Sequence, residues 1–199
     1  MKRALLGIFS AVLFWGIPSH AQVISPSENS WIHDYLTVVP DFPQRGIQFQ
    51  WYANLLKDPD AFHHAVETFA ERYRSYNLDA IAGLDSRGFI FGAALAYELR
   101  VPFVLIRKPG KLPRQVERID YVLEYGKNSF EIEVDTIKPQ DRVLIMDDVL
   151  ATGGTVSAAS ELVERLDGKV VEVACLIEIS PLEGRKRVKA PVFSLLQVE

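Results

Sequence analysis

At 199 residues, with 48% hydrophobic and 24% charged side chains, the chain is long enough to bury a full core and too apolar for intrinsic disorder. Its formal net charge of −4, with no long run of one sign, excludes a bulk electrostatic nucleic-acid binder and leaves room for a locally basic pocket. A single cysteine excludes an intrachain disulfide; Cys175 lies in the apolar run VVEVACLIEI and reads as a buried structural thiol, and no Cys/His cluster has zinc-ligand spacing.

Residues 1–22 differ from the rest. Lys2 and Arg3 precede an apolar stretch over 4–17, then Pro18 and Ser19-His20-Ala21, the pattern of a secretory signal peptide. The stretch is shorter than the roughly 20 residues that span a bilayer, so a transmembrane helix is not expected. Two readings stay open: an exported protein, or a gene start placed upstream of a chain that begins near 22–31. Residues 23–199 read as one domain, with a small N-terminal hood at about 31–57.

From there strands and helices alternate. Asp58-Pro59 is an N-cap followed by proline at the first helical position, and Phe62, Val66, Phe69, Ala70 and Tyr73 recur at helical spacing, which predicts a helix over 59–76. An apolar run at 78–84 ends in Asp85-Ser86-Arg87-Gly88, a helix follows over 89–99, and 103–106 is the next apolar run. After a basic, turn-rich segment at 108–113, the runs 121–124 and 130–134 flank a turn at 125–128 and predict a β-hairpin. The remainder reads as strand 142–146, helix 155–166, strand 170–177 and a short strand 192–196. Short apolar strands between helices predict an α/β fold, a mostly parallel sheet flanked by helices. Ligands of such sheets bind beyond the carboxyl ends of the strands.

Three loops carry unusual residues. The first is Asp147-Asp148-Val149-Leu150-Ala151-Thr152-Gly153-Gly154-Thr155. Amides of a helix N-terminus, bare at Gly153 and Gly154, surround a phosphate, with the Thr152 and Thr155 hydroxyls as further donors. Two carboxylates beside a phosphate need a different target. Vicinal ribose hydroxyls fit, as does help in holding a hydrated Mg2+. Neither GxxxxGK[ST] nor GxGxxG is present, so the loop is neither a Walker A nor a Rossmann fingerprint. The second loop places Arg87 between a hydroxyl and a glycine ahead of a helix, which suits a cluster of anionic oxygens. The third, Arg107-Lys108-Pro109-Gly110-Lys111-Leu112-Pro113, reads as a cationic flap over pyrophosphate.

The stretch VLIMDDVLATGGT resembles the phosphoribosyl-pyrophosphate (PRPP) motif of type I phosphoribosyltransferases. DFPQRGIQF, NLLKDP, GLDSRGFIFGAALA, VLIRKPGKLP, YVLEYGK and FSLLQVE extend the resemblance from about residue 31 to 199, specifically to the adenine phosphoribosyltransferases. The resemblance implies the type I fold with a hood and a β-hairpin flap, and a reaction of adenine with PRPP that gives AMP and pyrophosphate. It further implies Mg2+ held mainly by PRPP with possible help from Asp147 and Asp148, a homodimer, no nucleic acid or membrane partner, and a cytoplasmic place in purine salvage. Transferred by position, Phe49 stacks on adenine, main-chain groups of Gln48 and Gln50 read its edge, and Asp147 and Asp148 hold the ribose. Ala151, Thr152, Gly153, Gly154 and Thr155 bind the 5′-phosphate, and Arg87, Lys108 and Lys111 bind pyrophosphate. Arg87, Glu124 and Tyr125 are the catalytic candidates, with Glu124 managing the purine proton.

Five residues at three places depart from the family pattern. Gln50-Trp51 stands where Arg-Asp is usual, Arg114 where Gly is usual, and Ile119-Asp120 where Ala-Ser is usual before the tyrosine. They bear on flap behaviour and turnover more than on ligand identity. The competing readings are a phosphoribosyltransferase for hypoxanthine, guanine or orotate, and a PRPP-sensing regulator without catalysis. GIQF and LEYG argue against the first; retention of Glu124 and an apolar rather than basic N-terminal extension argue against the second.

Overall fold

The computed structural model describes residues 30–123 and 126–199; the 1–22 leader, Glu124 and Tyr125 lie outside the described residues. A five-stranded parallel sheet forms the frame. Its strands are β3 (Ala80–Leu84), β4 (Phe103–Ile106), β7 (Arg142–Leu150), β8 (Lys169–Ile179) and β9 (Val192–Val198), in the spatial order β4-β3-β7-β8-β9. Strand order therefore reverses between β3 and β7, and the loops that leave these two strands open a crevice at the carboxyl edge. Ahead of the sheet lies the hood: β1 (Thr37–Pro40) pairs antiparallel with β2 (Gln48–Trp51), followed by the short helix α1 (Ala53–Lys57).

The apolar run of β7 is continuous because both faces of the strand are buried. Leu144 and Met146 enter one core with Leu55, Phe69, Phe91 and Leu95, which the helices α2 (Pro59–Tyr73) and α3 (Gly88–Leu99) help cover. Val143 and Ile145 enter the opposite core with Val156, Leu162 and Cys175, under α4 (Gly154–Arg165). The hairpin of β5 (Val116–Leu123) and β6 (Gly126–Glu133) packs Ile119, Phe130 and Ile132 into this second core. Cys175 is fully buried on β8, as its apolar surroundings predict, and burial pushes its thiol pKa up. Among the described residues, no helix is long and apolar enough to cross a membrane.

Several boundaries differ from those read in the sequence, each for a physical reason. Asp58 caps α2 as expected, its Oδ1 accepting the Asp60 and Ala61 amides at 3.0 and 3.1 Å. The helix nevertheless ends at Tyr73 rather than 76. Asn77 takes a left-handed φ of 50°, and the Tyr76 carbonyl accepts from the Arg142 guanidinium at 2.9 and 3.1 Å. The hairpin pairing reaches further than the runs 121–124 and 130–134 suggest: Tyr121, Val122 and Leu123 pair with Asn128, Lys127 and Gly126. Most consequential, β7 does not stop at 146. Asp147, Val149 and Leu150 remain in register with Cys175, Ile177 and Glu178, so the acidic pair sits on a strand rather than on a loop.

One buried ion pair fastens α2 to the sheet. Arg72 donates to both Glu172 carboxylate oxygens at 2.9 and 2.8 Å and lies over the Phe193 ring at 4.2 Å. Arg72→Met leaves Glu172 buried without its cation and is expected to cost about 3 kcal/mol in urea unfolding. The double variant Arg72→Met/Glu172→Leu should recover most of that loss; no recovery would mean that the cation contributes chiefly through packing.

Candidate active site

A cavity of about 860 Å³ opens at the carboxyl edge of the sheet. Four strand ends and the hood build it. The hood contributes Gln48, Phe49 and Gln50; the end of β3 contributes Asp85, Ser86 and Arg87; Lys108 follows β4. Asp147 to Leu150 with Ala151, Thr152, Gly153 and Thr155 come from β7 and the start of α4, while Ile179 ends β8 and Pro181 and Leu182 follow it. The hairpin adds Tyr121, Asn128 and Phe130. Thus Phe49, Gln48, Gln50, Arg87, Lys108, Asp147, Asp148, Ala151, Thr152, Gly153 and Thr155 come together as the sequence suggests. Gly154 is buried in the first turn of α4, behind the lining residues. Lys111 is also outside the lining: its ammonium lies 3.7 Å from Asp85. Glu124 and Tyr125 fall outside the described residues.

The phosphate-type loop owes its shape to a close backbone contact. Gly153 caps α4 with φ 79°, and a Cβ there would overlap the Gly184 carbonyl oxygen; a Cβ on Gly184 would overlap the Ala151 carbonyl. Gly184 is held in turn by its neighbour. Arg185 donates to both oxygens of buried Glu178 at 2.6 Å, and Ser194 donates to the same carboxylate at 2.8 Å. Thr155 and Val156, in the first turn of α4 where amides have no intrahelical acceptor, thereby line the cavity. Gly184 escapes sequence reasoning because its partner, Gly153, is 31 positions away. The αL glycine in the loop is the only local hint that something lies close.

The two acidic residues have different environments. Asp148 is buried, and its Oδ2 accepts both from Arg87 Nε and from the Tyr52 hydroxyl, the latter at 3.0 Å. Arg87 also lies over the Phe49 ring, 5.4 Å from its centre. Asp147 accepts the Asp148 amide at 2.9 Å, and burial together with the neighbouring Asp148 charge holds its carboxyl well above the usual range. Gly88 starts α3 hard against this strand; a Cβ would come within 2.5 Å of the Met146 carbonyl oxygen.

The cationic loop is anchored rather than free. Asp85, nearly buried, accepts from Arg107 Nε at 3.2 Å and from the Lys108 amide at 3.4 Å, and Glu131 accepts the Gly110 amide at 2.8 Å. Sequence reasoning passed over Asp85, which neutralises part of the loop and aims the rest. The departures at 114 and 120 extend this bracing. Arg114 pairs with Asp135 and lies 3.7 Å from Glu133, and Asp120 accepts from Arg118 Nε at 3.0 Å and Ser129 at 2.6 Å. Gln50-Trp51 keeps β2 paired with Val38 and Thr37, so the main-chain geometry beside Phe49 survives that departure. Among the described residues no group of three or more His, Cys, Asp or Glu side chains is arranged to hold a metal by itself.

Residues 52–199 match the phosphoribosyl transferase domain family. The chain is 50% identical over 160 residues to the adenine phosphoribosyltransferase of Chloroflexus aurantiacus, covering 80% of this chain and 92% of that one. The crystal structure of the adenine phosphoribosyltransferase from Rhodothermus marinus superposes with a TM-score of 0.82 at 43% identity, covering 87% of this chain and all of that one. The Saccharomyces cerevisiae enzyme, complexed with an imino-altritol bisphosphate and adenine, superposes with a TM-score of 0.81 at 39% identity, covering 85% and 99%.

The raised carboxyl of Asp147 gives a stability prediction. The unfolded chain releases this proton in the ordinary carboxylate range and the folded chain retains it to higher pH, so its contribution to stability falls as pH rises through that window. Asp147→Asn removes the penalty. Its melting temperature should exceed that of wild type by a margin that widens from pH 5 to pH 8; parallel melting curves across that range would contradict the assignment.

Proposed function

The chain belongs to the phosphoribosyl transferase family, and from that premise we propose how its cavity works as an enzyme that transfers ribose 5-phosphate from PRPP to adenine, giving AMP and pyrophosphate. The observation that carries this reading is a convergence on one cavity. The acidic pair with its glycine loop, Phe49 on the hood, and the cations Arg87 and Lys108 all line it.

The loop Ala151-Thr152-Gly153-Gly154-Thr155 holds the 5′-phosphate through its amides and hydroxyls. Asp147 and Asp148 accept hydrogen bonds from the vicinal ribose hydroxyls. Adenine stacks on Phe49, with main-chain groups of Gln48 and Gln50 at its edge. Arg87 lies between the two ligands: it touches the Phe49 ring and Asp148, and its remaining guanidinium donors serve pyrophosphate. Lys108 and Lys111, on the loop braced by Asp85, complete the pyrophosphate clamp.

Mg2+ held mainly by PRPP would be assisted by the hard carboxylate oxygens of Asp147 and Asp148, and would supply positive charge beside the pyrophosphate. As pyrophosphate leaves C1, the ribose becomes oxocarbenium-like. The cations stabilise the departing oxygens, and the carboxyl group of Glu124 manages the proton of the purine ring. The protein acts as a homodimer in the cytoplasm, where PRPP is available. Self-association is supported by the exposed apolar Ile90 and Tyr97 on α3 and Leu105 on β4; a single mass near 45 kDa by light scattering is expected, about twice the 22.4 kDa chain.

Glu124→Ala should lower kcat by about 10² to 10⁴ with little change in the KM for PRPP, measured as AMP formed from adenine, PRPP and Mg2+. Wild type should prefer adenine over guanine and hypoxanthine. Comparable pyrophosphate release with either of those bases would overturn the base assignment.

A further inference from the structure

Asp148 is held by two donors of unlike character. Arg87 and Tyr52 both reach Oδ2, yet the Arg87 side chain is 43% exposed and faces the cavity, whereas Tyr52 is 1% exposed. Tyr52 is fixed by its surroundings. It directly follows β2, is the residue from which α1 starts, and its ring packs against Phe91 at 5.7 Å and Trp51 at 6.1 Å. A phenol hydroxyl donates to a carboxylate, and here it does so at 3.0 Å from a buried ring. Ninety-six residues separate the two partners.

This inference rests on the reading of Asp148 as a ribose ligand. In that reading Arg87 is shared with pyrophosphate, so its hold on Asp148 varies over the catalytic cycle. We propose that Tyr52 is a positioning residue: its hydroxyl keeps Oδ2 of Asp148 fixed while Arg87 turns to pyrophosphate, so that Oδ1 stays aimed at the ribose hydroxyls. Because Tyr52 also continues the strand that carries Phe49, it sets the base platform and the ribose carboxylate in one rigid relation. The alternative is that the hydroxyl merely satisfies a buried carboxylate and that ligand binding is indifferent to it.

Calorimetric titration with ribose 5-phosphate, PRPP and inorganic pyrophosphate separates these readings. Tyr52→Phe keeps the ring and removes the donor. It should weaken ribose 5-phosphate and PRPP by about tenfold each and leave pyrophosphate within twofold. Combined with Asp148→Asn, its effect on ribose 5-phosphate should largely vanish, because both variants act on one carboxylate. Tyr73→Phe, which removes a buried hydroxyl in the core away from the cavity, should change none of the three affinities. An unchanged ribose 5-phosphate affinity in Tyr52→Phe, an effect that adds fully to that of Asp148→Asn, or an equal loss in Tyr73→Phe would overturn the proposal. Wild type that binds neither sugar phosphate would instead overturn the site reading, and this inference with it.

Discussion

The carboxylate of Asp148 joins three parts of the molecule that share no sequence neighbourhood. It stands on β7; Arg87 reaches it from the turn between β3 and α3, and Tyr52 reaches it from the hood. A buried carboxylate requires donors, and here each donor comes from an element that also lines the crevice or adjoins one that does. Satisfying one charge therefore brings the Phe49 ring, the end of β7 and the Arg87 cation to one crevice. The neighbouring Asp147 accepts the Asp148 amide, and burial with the adjacent like charge holds its carboxyl above the usual range.

The same logic of distant anchoring recurs at the other walls. Gly153 and Gly184 meet backbone to backbone, and the Glu178, Arg185 and Ser194 cluster at the β8–β9 edge holds Gly184 in place. Asp85 and Glu131 brace the cationic loop from β3 and from the hairpin. Each wall is thus shaped by a buried or half-buried polar group whose partner lies on another element. The sheet supplies the rigidity, since β7 buries both faces between two cores.

Local patterns were legible in the sequence to the extent that their causes were local. The Asp58-Pro59 start of α2, the strand over 103–106 and the helix after Gly88 all follow from spacing and capping. The lining residues Phe49, Arg87, Asp147, Asp148 and Thr152 were legible because their chemistry is unusual for their surroundings. What could not be read depends on partners far along the chain. β7 runs through the acidic pair because β8 continues beside it, and two consecutive aspartates give no sign of that. α2 stops early because Arg142, well downstream, takes the Tyr76 carbonyl. Tyr52 looks like one more apolar residue at the start of a helix until Asp148 is placed above it.

The central claim is that this crevice joins a phosphorylated ribose to adenine, rather than merely sensing PRPP. Phosphorus NMR of wild-type protein with PRPP, Mg2+ and adenine tests it most directly, because each phosphorus environment is seen at once. The account predicts that the PRPP signals give way to AMP and free pyrophosphate in equal amounts, and only when adenine is present. PRPP signals that broaden on binding yet persist unchanged in the presence of adenine would contradict it.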